Sequence, residues 1–502
     1  MTRSPIFELR PYQREAVDAI VDHWNEWKRE LLVLPTGCGK TVVFNTVANG
    51  RPGRTLILAH RDELIEQARD KFNSMFGEMP GKIKAQENEI RRVTVGSVQT
   101  MCRRDYSGQF DTVIVDEAHH AVSPSYQTLL QQFPDARVLG VTATPDRGDK
   151  KSLARYFDGI AYEYQLKTAI KEGYLCEIMV KTIPLQIDLN AVKVSLGDFE
   201  VGSIAATLEP YLPQIARAIQ ENASARKTVV FCPLVSIAQE LAGMIPGARE
   251  VNGNSADRKE TLEWFNKAER GAVLCNAMLL TEGWDCPSCD CVVVLRPTKI
   301  RSLYCQMIGR GTRLSSGKDN LLILDFLWLS YKHNMCRPAS LVSENDVDID
   351  EIVTMSEDEE IDLLDAVSDA EEARRQALAA ELEKQARKKS KLVNPLELFS
   401  LIDDIGLADY EPTFKWEEAD ATDKQIAALQ KFGIDAEGIT KGYACAILDR
   451  VIGRSKQNLA TVKQIKTLQR FGYTATDWSF EQANKKLSAL AAAGWKRWKL
   501  HD

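Results

Sequence analysis

The chain has 502 residues, 44% hydrophobic and 27% charged, with a formal net charge of −7. That length exceeds one core and predicts about three domains. No run approaches the roughly 18 apolar residues of a membrane span, MTRSPIFELRPYQ lacks the apolar core of a secretory signal, and eleven cysteines in mostly apolar settings fit a reduced, cytoplasmic compartment. From the beginning of the chain, LLVLP (31–35), TLILAH (55–60), RVTVGS (92–97), TVIVDE (112–117) and RVLGVTAT (137–144) read as strands separated by helical patterns. Continuous apolar strands of this kind indicate a mostly parallel sheet covered on both faces. A second set follows in KTVVFC (227–232), AVLCN (272–276), CVVVLR (291–296) and NLLILDF (320–326). The expected architecture is α/β, with one lobe over 1–165 and another over 166–339.

From 340 the pattern fails. Residues 340–420 hold about 24 acidic and 8 basic side chains, and 370–392 read as an exposed helix with opposite charges four apart. The expectation for 340–395 is an acidic and helical linker, a spacer rather than a mimic of nucleic acid. Residues 396–502 form a small all-helical module carrying a repeat. ATDKQIAALQKFG (421–433) realigns with ATVKQIKTLQRFG (460–472) without a gap. Thr422 and Thr461 are placed to cap helices while Gln425 and Gln464 reach back, and Ser479 with Gln482 repeats the device. Gly433 and Gly472 suit a left-handed position after each first helix. Residues 421–502 hold about 14 basic and 7 acidic side chains, which makes the tail a basic unit of its own.

Three motifs carry chemistry. PTGCGKT (35–41) lies between a strand and a helix, where Thr36, Gly37, Cys38 and Gly39 allow backbone N–H groups to close around phosphate. Lys40 is the candidate for the β- and γ-phosphates and Thr41 for Mg²⁺. In DEAHH (116–120), Asp116 is the second Mg²⁺ residue and Glu117 the base for the attacking water. His119 reads as a contact to other motif residues or the second lobe, and His120 as structural. QMIGRGTR (306–313) supplies Gln306 with Arg310 and Arg313, and such arginines can stabilise charge on a γ-phosphate. Cys38 fills a small-residue position, and its thiol is a candidate for modification that blocks nucleotide binding. Cys286, Cys289 and Cys291 have no second ligand pair at matching spacing, so no zinc is expected. Trp284 reads as packing, with base stacking the alternative. Trp495 and Trp498 lie among Lys496, Arg497 and Lys499, a pattern that suits single-stranded nucleic acid.

Over residues 7–330 these motifs resemble, in number and order, those of the superfamily 2 helicases of DEAH type. FELRPYQ (7–13) is similar to their adenine-recognising Q motif, with Arg10 and Gln13 on the nucleotide. AHRDELIEQ (59–67) and GSVQT (96–100) resemble the strand-contacting motifs, TATP (142–145) motif III, VVFC (229–232) motif IV, and LLTEGWDCP (279–287) motif V. AIKEGYL (169–175) and LRPT (295–298) look most like the RadD-like branch and its bacteriophage relatives. The resemblance implies two tandem RecA-like lobes in a bacterial or phage protein, with ATP and Mg²⁺ between them and Gly283 and Asp285 beside the nucleotide. It implies a non-sequence-specific DNA track held by Arg61, Ser97, Thr100 and Thr281, admits RNA, and points to work in replication, recombination or repair. Replication or recombination proteins are the partners expected at the C-terminal module. A duplex translocase of a restriction complex and a regulatory ATPase are the alternatives.

Overall fold

A computed structural model describes residues 8–60, 62–143, 152–277, 284–329, 335–373 and 410–492, less 191, 196, 197, 344, 345, 358, 411, 415 and 437, together with 280, 398, 402 and 407. The chain divides into two compact units, 1–370 and 371–502.

The first unit contains two α/β lobes in tandem. The front sheet is built from β1 (Arg29–Val33), β2 (Thr55–Ala59), β3 (Gly81–Lys84), β4 (Glu87–Glu89), β5 (Val93–Ser97), β6 (Thr112–Asp116), β7 (Arg137–Thr142) and β8 (Gly159–Glu163). Their spatial order is β4-β3-β5-β2-β6-β7-β1-β8, all parallel except β4. The central strands are buried along their length, TLILA of β2 at every position, as strands flanked by helices on both faces must be. The rear sheet contains β9 (Glu177–Asp188), β12 (Thr228–Phe231), β13 (Arg249–Val251), β14 (Val273–Asn276), β15 (Cys291–Val294), β16 (Asn320–Leu329) and β17 (Ile361–Asp362). Its order is β13-β14-β12-β15-β16-β9-β17, parallel except for β17. A two-stranded hairpin, β10 (Val194–Ser195) with β11 (Asp198–Phe199), stands apart.

One contiguous core runs through both lobes, from Tyr12, Val43 and Phe44 to Ile178, Val292 and Ile323. Parallel strands point their carboxyl ends the same way, so the loops after β1, β2, β5 and β6 gather on one rim of the front lobe.

The acidic stretch corrects the linker expectation over its first part. Helix Asp346–Met355 leads to β17, which pairs antiparallel with β9 through Ile361↔Val180. Ser356 accepts from the Thr182 amide at 2.9 Å, and Ile352, Leu363, Leu364, Ala366, Val367 and Ala370 are buried in the core. The physical reason is that aliphatic residues recur between the acids, so one face buries while Asp365 and Asp369 stay exposed. Residues 374–397, most of the expected charged helix, lie outside the described residues.

The second unit contains the repeat. Helices Asp423–Phe432 and Lys441–Lys456 make one copy, Val462–Gln469 and Phe480–Ala492 the other. Each copy is closed by an isolated antiparallel bridge, Asp420↔Thr440 in the first and Leu459↔Ser479 at the equivalent positions of the second. Both capping boxes form, with Thr422 accepting from the Gln425 amide and Thr461 from the Gln464 amide, each at 3.3 Å. Gly433 (φ +83°) and Gly472 (φ +75°) take the left-handed conformation that residues with a Cβ rarely adopt.

Candidate functional site

The site begins at the carboxyl end of β1. Residues 34–39 turn tightly before helix Lys40–Gly50, with Gly37 at φ +93° and Gly39 at φ +77°. The loop is supported from below. Tyr12 Oη donates to the Cys38 carbonyl at 2.9 Å, and Gln13 Nε2 donates to the same oxygen at 3.1 Å. Burial pushes the Tyr12 phenol up to about 12, so it stays a donor across the working pH range. Its ring stacks on Tyr164 at 4.4 Å and meets Tyr174 edge-on at 4.8 Å, and Arg10 lies 5.2 Å over the Tyr174 ring. Gln13 Oε1 accepts from the Arg10 amide at 3.1 Å, so both ends of this side chain are built into the loop's support.

β6 ends on Asp116, and the next residue, Glu117, holds φ +51°. A non-glycine residue in that region is strained by about 1–3 kcal/mol and needs surrounding structure to hold it. Lys40 Nζ stands 3.6 Å from Glu117 Oε1, and His119 Nδ1 3.5 Å from Glu117 Oε2. Burial alone would raise the Glu117 carboxyl, but Lys40, His119, Arg310 and His120 together hold it charged and well below the usual carboxylate range. Asp116 goes the other way, raised by burial and then by the charge of Glu117. His60 and His120 rings meet at 4.4 Å, which ties the loop after β2 to the same corner.

The rear lobe closes the opposite side. Helix Arg301–Ile308 ends at Gly309, which approaches Thr36 so closely that a Cβ there would overlap the threonine side chain. A Cβ on Gly37 would lie 3.0 Å from Leu175 Cδ2, 3.3 Å from Arg313 Cγ and 3.5 Å from Thr312 Oγ1. The phosphate loop and the arginine loop are therefore in contact through glycines, and Arg310 is near enough to act on Glu117. Arg310 Nη1 donates to the Trp284 carbonyl at 2.8 Å, and Arg313 pairs with Asp285. Thr36 Oγ1 and Gln306 Nε2 are buried without a hydrogen-bond partner among the described residues. Polar atoms left open beside a glycine-lined loop fit a polar ligand.

Two models of known families match this chain: the type III restriction enzyme res subunit over residues 6–147 and the helicase conserved C-terminal domain over 210–315. The chain belongs to the superfamily 2 helicases and translocases. Within that superfamily it is 32% identical over 386 residues to IRC3 of Saccharomyces cerevisiae, which carries an ATP-dependent helicase name, covering 68% of this chain and 55% of that one. It is 26% identical over 362 residues to the DNA 3'-5' translocase XPB2 of Sulfurisphaera tokodaii, covering 63% and 81%. A 51.5 kDa protein of a Lactococcus phage is 26% identical over 58% of this chain and 64% of its own. Among solved structures, an HsdR-type fragment of a type I restriction enzyme from Vibrio vulnificus is similar with a TM-score of 0.51 and 27% identity, covering 64% and 65%. The chain spans little more than half the length of the yeast relatives it matches. Its two lobes are the tandem RecA-like pair of this superfamily.

Of the residues singled out in the sequence, Thr36, Gly37, Cys38, Gly39, Lys40, Asp116, Glu117, Gln306, Arg310 and Arg313 come together here, with Thr41 in the first turn of the helix after the loop. Asp285 joins them through Arg313. Ser97 is buried and donates to Gln99 Oε1 at 2.8 Å, while Thr100 Oγ1 accepts from the Ala85 amide at 3.0 Å. Gln99 Nε2 donates to the His60 carbonyl at 2.9 Å and brings this loop beside the one after β2. Arg61, Thr281, Gly283, Lys496 and Arg497 lie outside the described residues, as do Trp495 and Trp498.

Two lesser expectations resolve. Cys38 is fully buried and its thiol is pushed up to about 12 by that burial, so it is a filler and a poor target for thiol reagents. Trp284 is 8% exposed and packs on Phe265 at 5.9 Å, the packing reading rather than base stacking. Sequence reasoning missed the Trp284 carbonyl that holds Arg310, the tyrosine cluster under the loop, and Cys176, whose amide donates to the Thr312 carbonyl at 2.9 Å. Only Tyr12 carried a signal, as the neighbour of Gln13.

Proposed function

We propose that this chain is an ATP-driven motor on nucleic acid, with DNA as its track, working in replication, recombination or repair. The observation that carries the reading is the meeting of Lys40 and Glu117 from the front lobe with Arg310 and Arg313 from the rear lobe at one phosphate-type loop. Lys40 is proposed to hold the β- and γ-phosphates. Glu117, kept ionised by its cationic neighbours, orients the attacking water and takes its proton. Arg310 and Arg313 stabilise the charge that develops on the γ-phosphate. The base packs beside Arg10 and Gln13, with Gly283 and Asp285 also at the nucleotide.

Asp116 and Thr41 are the residues that would hold Mg²⁺. The donor set fits: Asp116 is a buried carboxylate whose charge its own surroundings disfavour, a condition that a cation relieves. The ion would neutralise phosphate charge as the terminal phosphoryl group leaves.

Nucleotide binding biases the two lobes toward closure and hydrolysis releases them. Backbone contacts are proposed for Arg61, Ser97, Thr100 and Thr281, supported by the shared rim of the loops after β2 and β5. Such contacts are non-specific and salt-sensitive. Residues 421–502, with Lys496 and Arg497, are proposed as a second nucleic-acid contact and as the docking place for replication or recombination proteins. A second reading, a duplex translocase within a restriction or defence complex, is favoured by the match to the type III restriction subunit model.

ATPase assays with single-stranded, duplex and forked DNA and with RNA test the proposal. Stimulation by DNA together with unwinding of a fork supports the first reading. Displacement of a triplex strand without unwinding supports the second. ATPase activity indifferent to every nucleic acid overturns both and leaves a regulatory ATPase.

A further inference from the structure

The loop that leaves helix Arg301–Ile308 carries Arg310 and Arg313, and a loop is a poor platform for groups that must be placed to a fraction of an ångström. Its carbonyls show how it is held. Lys318 Nζ donates to the Gly311 carbonyl and, at 2.9 Å, to the Arg313 carbonyl. It also donates at 2.6 Å to the Cys289 carbonyl, with the Pro287 oxygen 3.3 Å away. The Thr312 carbonyl between them is taken by the Cys176 amide at 2.9 Å. Three successive carbonyls, 311 to 313, are thus tied down by two residues. The return is made by a turn in which Gly317 takes φ +76° and the Lys318 amide donates to the Ser315 carbonyl at 3.2 Å.

We propose that Lys318 is a positioning residue for the reaction: its ammonium fixes the backbone of Gly311–Arg313 to the segment 287–289, and so sets where Arg313 meets the phosphate loop. This rests on the reading of Arg313 as a stabiliser of γ-phosphate charge. An ammonium offers three hydrogens radiating from one point, which matches oxygens converging from several directions. A guanidinium offers a planar fork and fits such a cage badly. The Lys318 ammonium is directed at main-chain oxygens, so its proposed contribution passes through the arginine loop.

The test is a double-mutant cycle in the full chain, with Lys318→Met, Arg313→Ala and the double variant assayed for DNA-stimulated ATPase and for equilibrium binding of a fluorescent ATP analogue. Lys318→Met is expected to lower kcat about tenfold with nucleotide affinity changed less than about twofold, and Lys318→Arg to restore little of the loss. In the Arg313→Ala background, Lys318→Met should add almost nothing, because its only route of action is gone. Where Lys318→Met fails to fold, Lys318→Gln keeps two of the three N–H donors on a shorter, uncharged side chain and carries the same expectation. Unchanged kcat in the single variant, or an undiminished loss in the Arg313→Ala background, overturns the proposal. If Arg313→Ala itself leaves kcat intact, the arginine reading falls first and the positioning role with it.

Discussion

In the helical repeats, Gln425 and Gln464 occupy equivalent positions and satisfy themselves in the same way. Gln425 Oε1 accepts from the Thr422 amide at 2.9 Å and its Nε2 donates to Cys445 Sγ at 3.1 Å; Gln464 Oε1 accepts from the Thr461 amide at 2.8 Å and its Nε2 donates to Asn484 Oδ1 at 2.9 Å. Cys445 and Asn484 are also equivalent between the copies, so the network is duplicated along with the helices. The site in the α/β lobes treats its buried polar atoms otherwise. At their junction Thr36 Oγ1 and Gln306 Nε2 are buried with no bonding partner among the described residues, and Glu117 stays charged only because cations crowd it. A closed valence is structure; an open one at a rim of loops is an invitation to a ligand.

The largest way to break this contrast is to remove the arginines. Arg310→Ala or Arg313→Ala is expected to lower DNA-stimulated kcat by about 10³-fold while leaving thermal unfolding nearly unchanged. A stopped assay of phosphate release measures the first and calorimetry the second. Loss of stability in place of turnover would put the arginines with the structural residues. Glu117→Gln should bind ATP yet turn over about 10²-fold more slowly. Near-normal turnover would take Glu117 out of the role of base.

How much of this was legible in the sequence depends on what each residue bonds to. Lys40, Asp116, Glu117 and the arginine pair announce themselves because spacing within a short motif reflects the turn that holds them. The repeat caps are legible for the same reason, since Thr422 and Gln425 bond within one helical turn. Lys318 and the Trp284 carbonyl are invisible to spacing, because Lys318 bonds main-chain oxygens, which no residue type announces, and the Trp284 carbonyl is met by a side chain 26 residues on. β9 was missed because EIMVKTIPLQID is interrupted by Lys181 and Pro184. β4 and β13 are short edge strands with exposed polar positions, and β3, between β4 and β5, is only four residues long with a lysine at every second position. The acidic strap was read as a spacer because composition outweighed the aliphatic residues placed between its charges.

Glu30 sharpens the comparison, for it is an open valence outside the site. It lies near the amino end of β1, away from the loops that follow the strands, with both carboxylate oxygens buried and without a hydrogen-bond partner among the described residues. Burial pushes its carboxyl up to about 8, with Arg137 and Arg51 opposing. The folded state then holds a proton that the unfolded chain releases near pH 4.5, so stability should fall as pH rises from about 4.5 to about 8. Glu30→Gln removes that slope, and its melting temperature should exceed that of the parent chain by a few degrees at pH 8 and match it at pH 5. ATPase activity should not change. A loss of turnover would show that this carboxylate belongs to the machinery after all.

The smallest effect belongs to the repeats. Thr461→Ala deletes a hydroxyl that accepts from the Gln464 amide and leaves that donor unpaired, which costs about 1 kcal/mol. Thr422→Ala removes the equivalent bond in the other copy and should cost the same. Hydrogen exchange of the first-turn amides in the full chain reads each loss locally, and exchange should quicken about fivefold for each variant. Because the two copies carry separate caps, the losses should stay confined to the mutated copy. Spread of faster exchange into the partner helix pair would mean that the copies fold as one cooperative body. The closed network would then be a shared property of the whole unit, carried by the one apolar core that the two copies build together.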